Sequence, residues 1–455
     1  MTIPFAEAES PYQAADIQGS LTKRTLLSYA GLALPMCLAG IPALLYLPAF
    51  YAKELHLSAG LVGLVFLLAR LWDGLSDISV GWLSDSLVSR WGRRKPWLLF
   101  GAPFLIVATW FLCNPPADAG LAYLSLWVAL FYTSWTAMYI PYLSWGTELA
   151  TDYIERSRVT SFRETFNMLG VMIFVAAPLI FLPSDPPLRN VLYLISLTVL
   201  YTVPPAVMAS GFFVGDTPPV ESRKVQLLKD VATLAKDRVF IQFAIGRLLY
   251  FIEEGVSNSV FVFSFGVGFG LPNKFYWALL ILYIATLCTV PITLRLAKHI
   301  DKHRMLAAGM GIQALVYALA LCMPQGNFLL VAGLWVVFGV GNSAIMTLPG
   351  SVLADIIDNG EVITGERASG VYVAADNLVY KVGMALGVGL SFGLLDMLHY
   401  EPSLTHHSGA DVRNIRIVGF GLPCLLSMLA FVPYVMHPIT RKVHDELRRR
   451  IESRR

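Results

Sequence analysis

Leu68-Ala69-Arg70-Leu71-Trp72-Asp73-Gly74-Leu75-Ser76-Asp77 sets three charges inside an apolar run that extends over residues 60–83. An Asp, Lys or Arg at the centre of a membrane helix costs roughly 2.5–3.5 kcal/mol, so such residues face a cavity or a partner. Asp73 and Asp77 are four apart and share a helix face, with Arg70 a turn before Asp73 on much the same side. Working outward, the run ends in Arg90, Arg93, Arg94 and Lys95. Alternation of apolar runs and basic loops then continues along the chain.

Of the 455 residues 56% are hydrophobic and 14% charged, and the mean hydropathy is +0.61. A soluble domain carries about a quarter charged residues, so the chain belongs in a bilayer. Runs long enough to span fall near 25–51, 60–83, 96–113, 121–148, 165–183, 189–213, 239–269, 275–297, 304–323, 328–353, 371–398 and 415–437. The sequence therefore predicts an all-α membrane protein of twelve transmembrane helices. Every second loop is basic: Arg156, Arg158 and Arg163 follow the fourth run, Arg223 to Arg238 the sixth, and Lys298, Lys302 and Arg304 the eighth. This bias puts those loops and both termini in the cytoplasm of a plasma (inner) membrane protein.

Residues 1–24 hold Glu7, Glu9 and Asp16 and lack the basic start of a signal peptide. The charged stretch 214–238 falls at the midpoint, joining a six-helix bundle over 25–213 to a second over 239–437, as in a two-repeat transporter. Gly81-Trp-Leu-Ser-Asp85 with Gly92-Arg-Arg-Lys95 has a faint echo in Arg295-Leu-Ala-Lys298 with Asp301-Lys-His-Arg304. The basic tail, 438–455, reads either as an amphipathic helix on anionic lipid or as a solvated end. The five cysteines have neither disulfide nor metal spacing.

Asp73 and Asp77, with serine and backbone oxygens nearby, form a hard-oxygen site for Na⁺, Li⁺ or H⁺; a structural network in which Arg70 neutralises Asp73 accounts for the same residues. Lys381 needs an acidic partner: Asp73 or Asp77 across the two halves, or Asp376 on its own run. Arg247, Glu253 and Glu254 charge the seventh run, and a cavity role is assigned to the two glutamates. Tyr139, Tyr142 and Trp145 flank Pro141, either as a stacking face for a solute or as helix packing. No GxSxG, HExxH or Walker motif occurs, which leaves a membrane enzyme or a transport-dead receptor as the alternative class. A net charge of +3 without basic-aromatic clusters gives no reason to expect nucleic acid.

Ala69 to Asp77, Gly81-Trp82 and Arg90-Trp-Gly-Arg-Arg-Lys-Pro-Trp97 closely resemble the glycoside–pentoside–hexuronide:cation symporter family, the melibiose-permease branch of the major facilitator superfamily. Ile140-Pro141-Tyr142, Thr147 to Arg156, Asp355-Ile-Ile-Asp358, Thr364-Gly365-Glu-Arg367 and Lys381 to Gly387 extend the resemblance over nearly the whole chain. It implies the major facilitator fold, with two six-helix bundles around a central site open alternately to each side, and no cofactor beyond a coupling Na⁺, Li⁺ or H⁺. It also implies cation binding by Asp73 and Asp77 and roles for Arg163 and Lys381. The family's two sugar-binding aspartates fall here on Cys37 and Tyr139, which leaves room for a lysolipid-like solute beside a sugar or glycoside. The solute is expected to meet Arg70, Tyr139, Tyr142, Arg163, Lys381, Glu253 and Glu254. Asp85, Arg93, Arg94, Asp152, Glu155 and Arg156 are expected to latch the cytoplasmic side, or to act as topology signals. The partners expected are a small solute and membrane lipid, with the chain itself a monomer.

Overall fold

The computed structural model describes residues 21–86, 89, 91–149, 153–182, 186–215, 234, 237–272, 274–364, 369–402, 404, 407–438, 440, 443 and 446, with the side chains of 78, 85, 86, 153, 154, 156, 157, 363, 364, 369 and 370 excepted. Eleven of its helices are long and apolar enough to cross a membrane. They are α1 (Lys23–Leu45), α2 (Ala59–Ser86), α3 (Lys95–Cys113), α4 (Leu121–Glu148), α5 (Tyr153–Phe181), α6 (Leu188–Phe213), α8 (Phe275–Leu296), α9 (Lys302–Leu321), α10 (Phe328–Thr347), α11 (Ser369–Met397) and α12 (Gly409–Val435). The twelfth, α7 (Arg238–Ser259), packs lengthwise on α11 and α12. It carries Arg238, Arg247, Glu253 and Glu254, charges that interrupt its apolar run.

Local chemistry sets the helix ends. Asp237 accepts from the backbone N–H groups of Val239 and Phe240 at 3.0 and 3.1 Å and starts α7, satisfying donors the helix leaves free. Ser408 and Asp411 form a reciprocal capping box at α12. Pro141, Pro178, Pro204 and Pro205 sit inside helices, a pattern tolerated where neighbouring helices re-satisfy the freed carbonyls. Large apolar side chains such as Phe212 and Leu329 point outward, where acyl chains rather than water meet them.

The packing repeats with an offset of six helices. The pairs α1–α5, α1–α6, α2–α4, α3–α4 and α3–α6 recur as α7–α11, α7–α12, α8–α10, α9–α10 and α9–α12. Between the halves, α2 lies on α11 and α5 on α8, which the same operation exchanges. The faint repeat in the loops is thus a strong repeat in space. Even the loop ion pairs correspond: Arg93 and Arg94 at the start of α3 hold Glu148 at the end of α4, and Lys302 at the start of α9 holds Asp355 at 2.7 Å. Asp355 lies on the helix Pro349–Thr364 that follows α10.

On the face away from the basic loops the halves touch. Tyr46 packs its ring on Phe275 and Tyr276 at 6.0 and 6.1 Å. Gly63 admits Phe392, a Cβ on Gly389 would sit 3.1 Å from Leu67, and Ser58 donates to Asp396 at 3.2 Å. These small residues let α2 and α11 approach closely.

Candidate functional site

Between the halves lies a cavity of about 350 Å³. Its wall includes Arg70 and Asp73 from α2, Trp135 and Tyr139 from α4, Arg163 from α5, Glu254 and Asn258 from α7, and Lys381 from α11. Six of the nine residues assigned to cation or solute from the sequence (Arg70, Asp73, Tyr139, Tyr142, Arg163 and Lys381) line it, and Glu254 is a seventh. Asp77 and Glu253 do not; the Glu253 side chain turns into the C-terminal half, hydrogen-bonded by Tyr317 and Ser257.

At mid-depth a compact charge cluster joins the two halves. Lys381 Nζ stands 2.8 Å from Asp73 Oδ2 and 2.6 Å from Asp77 Oδ2, and donates to the Asp73 carbonyl at 3.2 Å. Arg70 lies 3.6 Å from the same Asp73 oxygen, with its guanidinium 4.9 Å from the Tyr132 ring centre. Thr136 Oγ1, on α4, is 2.7 Å from Asp73 Oδ1 and 3.1 Å from Asp77 Oδ1, donating to one at a time. Asp73 is 1% exposed. Of the two partners the sequence left open for Lys381, the structure selects Asp73 and Asp77. Asp376 is engaged elsewhere, by Arg247 Nε and a terminal nitrogen at 2.9 and 3.1 Å. Two acids and two bases leave the cluster neutral, as burial of charge in low dielectric demands.

The aromatic stripe of α4 packs against its neighbours and also lines the cavity, at Tyr139 and Tyr142. Phe131, Trp135 and Tyr139 form a ladder of near-parallel rings one turn apart, at 6.0 and 5.7 Å. Its edge meets the cavity, and Trp135 is admitted because Gly40 on α1 has no side chain. Tyr142 and Trp145 pack on Tyr29 at 4.7 and 6.5 Å. The hydroxyls of Tyr132 and Tyr142, both on cavity-lining residues, are buried without a hydrogen-bond partner among the described residues. Native structures rarely leave buried polar groups unpaired. Trp135, Thr136, Asn167, Asn258 and Tyr380 escaped the sequence reading. The four-residue spacing of Trp135 from Tyr139 was its available signal.

Three of the residues assigned to the latch have partners of their own half among the described residues. Arg93 and Arg94 approach Glu148 at 2.6 and 2.5 Å, Arg94 donates to Ser84 at 2.7 Å, and Glu155 pairs with Arg158 on α5 at 2.9 Å. Asp152 and the side chains of Asp85 and Arg156 lie outside the described residues, as does most of the basic tail.

A family model described as MFS/sugar transport protein matches residues 28–441. The chain belongs to this family. The inner membrane symporter YicJ of Escherichia coli is 26% identical over 86% of each chain. The sphingosine-1-phosphate transporter MFSD2B of Xenopus tropicalis is 22% identical over 95% of this chain and 91% of its own. The crystal structure of the nucleoside transporter NupG superposes with a TM-score of 0.64 at 13% identity, covering 92% of this chain and all of that one, which establishes the shared fold. This MFS/sugar transport protein is accordingly a multi-pass secondary transporter of the symporter-like branch and not an enzyme, and its substrates are small molecules.

Proposed function

We propose that this transporter couples the uptake of a sugar or glycoside to a cation, Na⁺, Li⁺ or H⁺, held by Asp73 and Asp77. The observation that carries the reading is Lys381, an ammonium from the C-terminal half held between two carboxylates of the N-terminal half. It occupies the place a coupling cation would take. With Lys381 there the cluster is neutral; with a second cation it gains a charge that a buried site resists. The incoming ion therefore displaces the ammonium, and with it a link that joins α2 to α11. Ion binding and the relative motion of the halves become one event, a difference in affinity between two conformations.

The cavity wall supports a polar, ring-bearing solute. The Phe131–Trp135–Tyr139 ladder offers aromatic surface to a pyranose face. Across from it, Glu254 and Asn258 lie four residues apart on one face of α7, a carboxylate and an amide suited to vicinal hydroxyls. One carboxylate and one amide of the opposite half thereby stand in for the two carboxylates absent at Cys37 and Tyr139. A volume near the lower end of the range for small-molecule sites suits a sugar better than a long acyl chain. Asp85, Arg93, Arg94, Asp152, Glu155 and Arg156 act at the cytoplasmic surface in the alternate state. The basic loops face the cytoplasm of the inner membrane, and the protein works as a monomer.

Vesicles loaded with the purified protein test this. Glycosides should accumulate against their gradient when a Na⁺ or proton gradient is imposed, and the Asp73→Asn/Asp77→Asn variant should lose accumulation. Competition by lysolipids but not by glycosides would replace the sugar with an amphiphile. Accumulation that ignores every ion gradient would sink the coupling.

A further inference from the structure

α7 bears two carboxyl groups in succession, and they face different surroundings. Glu254 and Asn258 line the cavity. The adjacent pair on the same two turns, Glu253 and Ser257, turns toward α9, which supplies Tyr317. Glu253 is 2% exposed. Its Oε1 lies 2.5 Å from the Tyr317 hydroxyl and 3.1 Å from the Ser257 hydroxyl, and those two oxygens are 2.7 Å apart. Three oxygens close a ring. Tyr317 and Ser257 bring two hydrogens to three hydrogen-bonding contacts. Oxygens at such separations repel unless a hydrogen lies between them. The carboxyl itself can supply the third.

The charged neighbours do not offer an alternative. On α7 the titratable groups nearby are Tyr250 and Glu254, the latter an acid that opposes a second negative charge. Arg247 is bound to Asp376 of α11, and Lys381 of α11 is bound to Asp73 and Asp77. Tyr380 of α11 and Tyr283 of α8, which lie near Glu254, add only phenols. Among the described residues no basic group pairs with Glu253, and a buried anion without a counter-charge gives way to the neutral acid.

We propose that Glu253 is a proton-binding site of this transporter, protonated in the conformation described here, in the half opposite Asp73 and Asp77. The proton sits in a ring that spans α7 and α9, so displacement of α7 along α9 opens the ring and releases it. Because Glu253 and Ser257 alternate with Glu254 and Asn258 on the same turns, a solute that shifts α7 also shifts this proton. That last link rests on the reading of Glu254 and Asn258 as solute contacts. Protonation of Glu253 does not.

Infrared spectroscopy of the purified full chain in lipid nanodiscs tests the site directly. Wild type at neutral pH should show the C=O stretch of a buried carboxylic acid that moves down in D₂O, as an exchangeable acid does. Glu253→Gln, whose amide matches the neutral acid in size and donor, should lose this band. Asp73→Asn/Asp77→Asn should keep it. Tyr317→Phe should shift it, because its ring partner is gone. Loss of carboxylate bands instead of the acid band in Glu253→Gln would overturn the proposal, as would an acid band indifferent to Tyr317→Phe or to D₂O.

Discussion

Replacing Lys381 with Met removes the ammonium and leaves its volume roughly filled. The cluster of Arg70, Asp73, Asp77 and Lys381 then passes from neutral to a net charge of minus one. Asp73, 1% exposed, retains only Arg70 at 3.6 Å and the Thr136 hydroxyl. Breaking one partner out of a buried ion pair costs about 3–5 kcal/mol. An unfolding entropy of about 2.1 cal/mol/K per residue makes 1 kcal/mol worth about 1 °C for this chain. Tm should therefore fall by about 3–5 °C in K⁺ buffer, followed by intrinsic tryptophan fluorescence. In Na⁺ or Li⁺ the vacated place can be filled, and a cation at about a hundred times its Kd returns about 2.7 kcal/mol. The gain from Na⁺ should be larger in Lys381→Met than in wild type, where the ammonium competes. Asp73→Asn combined with Lys381→Met restores neutrality, so its cost should be smaller than the sum of the two single changes. A loss below about 1 °C in the single variant, or strict additivity in the double, would refute the argument.

Three further outcomes follow from other parts of the molecule. A Cβ on Gly387 would sit 2.8 Å from Gly255 Cα and closer still to the Ile252 carbonyl oxygen; backbone cannot step aside as a side chain can. Gly387→Ala should lower stability by about 1–3 kcal/mol, while Gly393→Ala, with open space around it, should not; equal Tm values for the two would contradict the close packing of α7 on α11. Trp135→Leu should raise the KM for a transported glycoside about tenfold, consistent with about 1.4 kcal/mol of lost stacking, with expression unchanged; an unaltered KM would place the solute elsewhere. His437, just beyond α12, is pushed down to about 4 by burial and by the nearby His303. The unfolded chain binds that proton near pH 6.5, so stability is present above this value and is lost as pH falls toward about 4, by up to about 3 kcal/mol. His437→Gln should flatten the fall in Tm over that window.

The helices and their alternation were legible because apolar length and loop charge are one-dimensional signals. The α2 cluster was legible for a related reason: three charges in an apolar run demand partners wherever the fold puts them. Which partner Lys381 takes was not, since Asp376 is five residues away in sequence and Asp73 comes from the other half; only the packing of α2 on α11 decides. The glutamates show the same limit at finer scale. Adjacent residues differ by about 100° around a helix, so Glu253 and Glu254 meet α9 and the cavity respectively, a distinction that an uncertain helix phase blurs. The twelfth span was found by its pattern although its four charged residues depress its hydropathy. The partners described for Arg93 and Arg94 include Glu148 of the same half, while the latch expected of them belongs to the alternate state. Thr136 carried no signal, being one hydroxyl among many on a membrane helix.

The neutrality of the buried cluster has an electrical consequence. A cluster that sums to zero carries no net charge of its own from one orientation to the other, so membrane voltage has no purchase on it during the empty return. A monovalent ion that takes the place of the ammonium adds one charge, and an elementary charge carried across 100 mV is worth about 2.3 kcal/mol. Voltage would then drive the loaded stroke alone. An interior-negative membrane potential would favour delivery to the inside while leaving the reset of the machine to thermal motion.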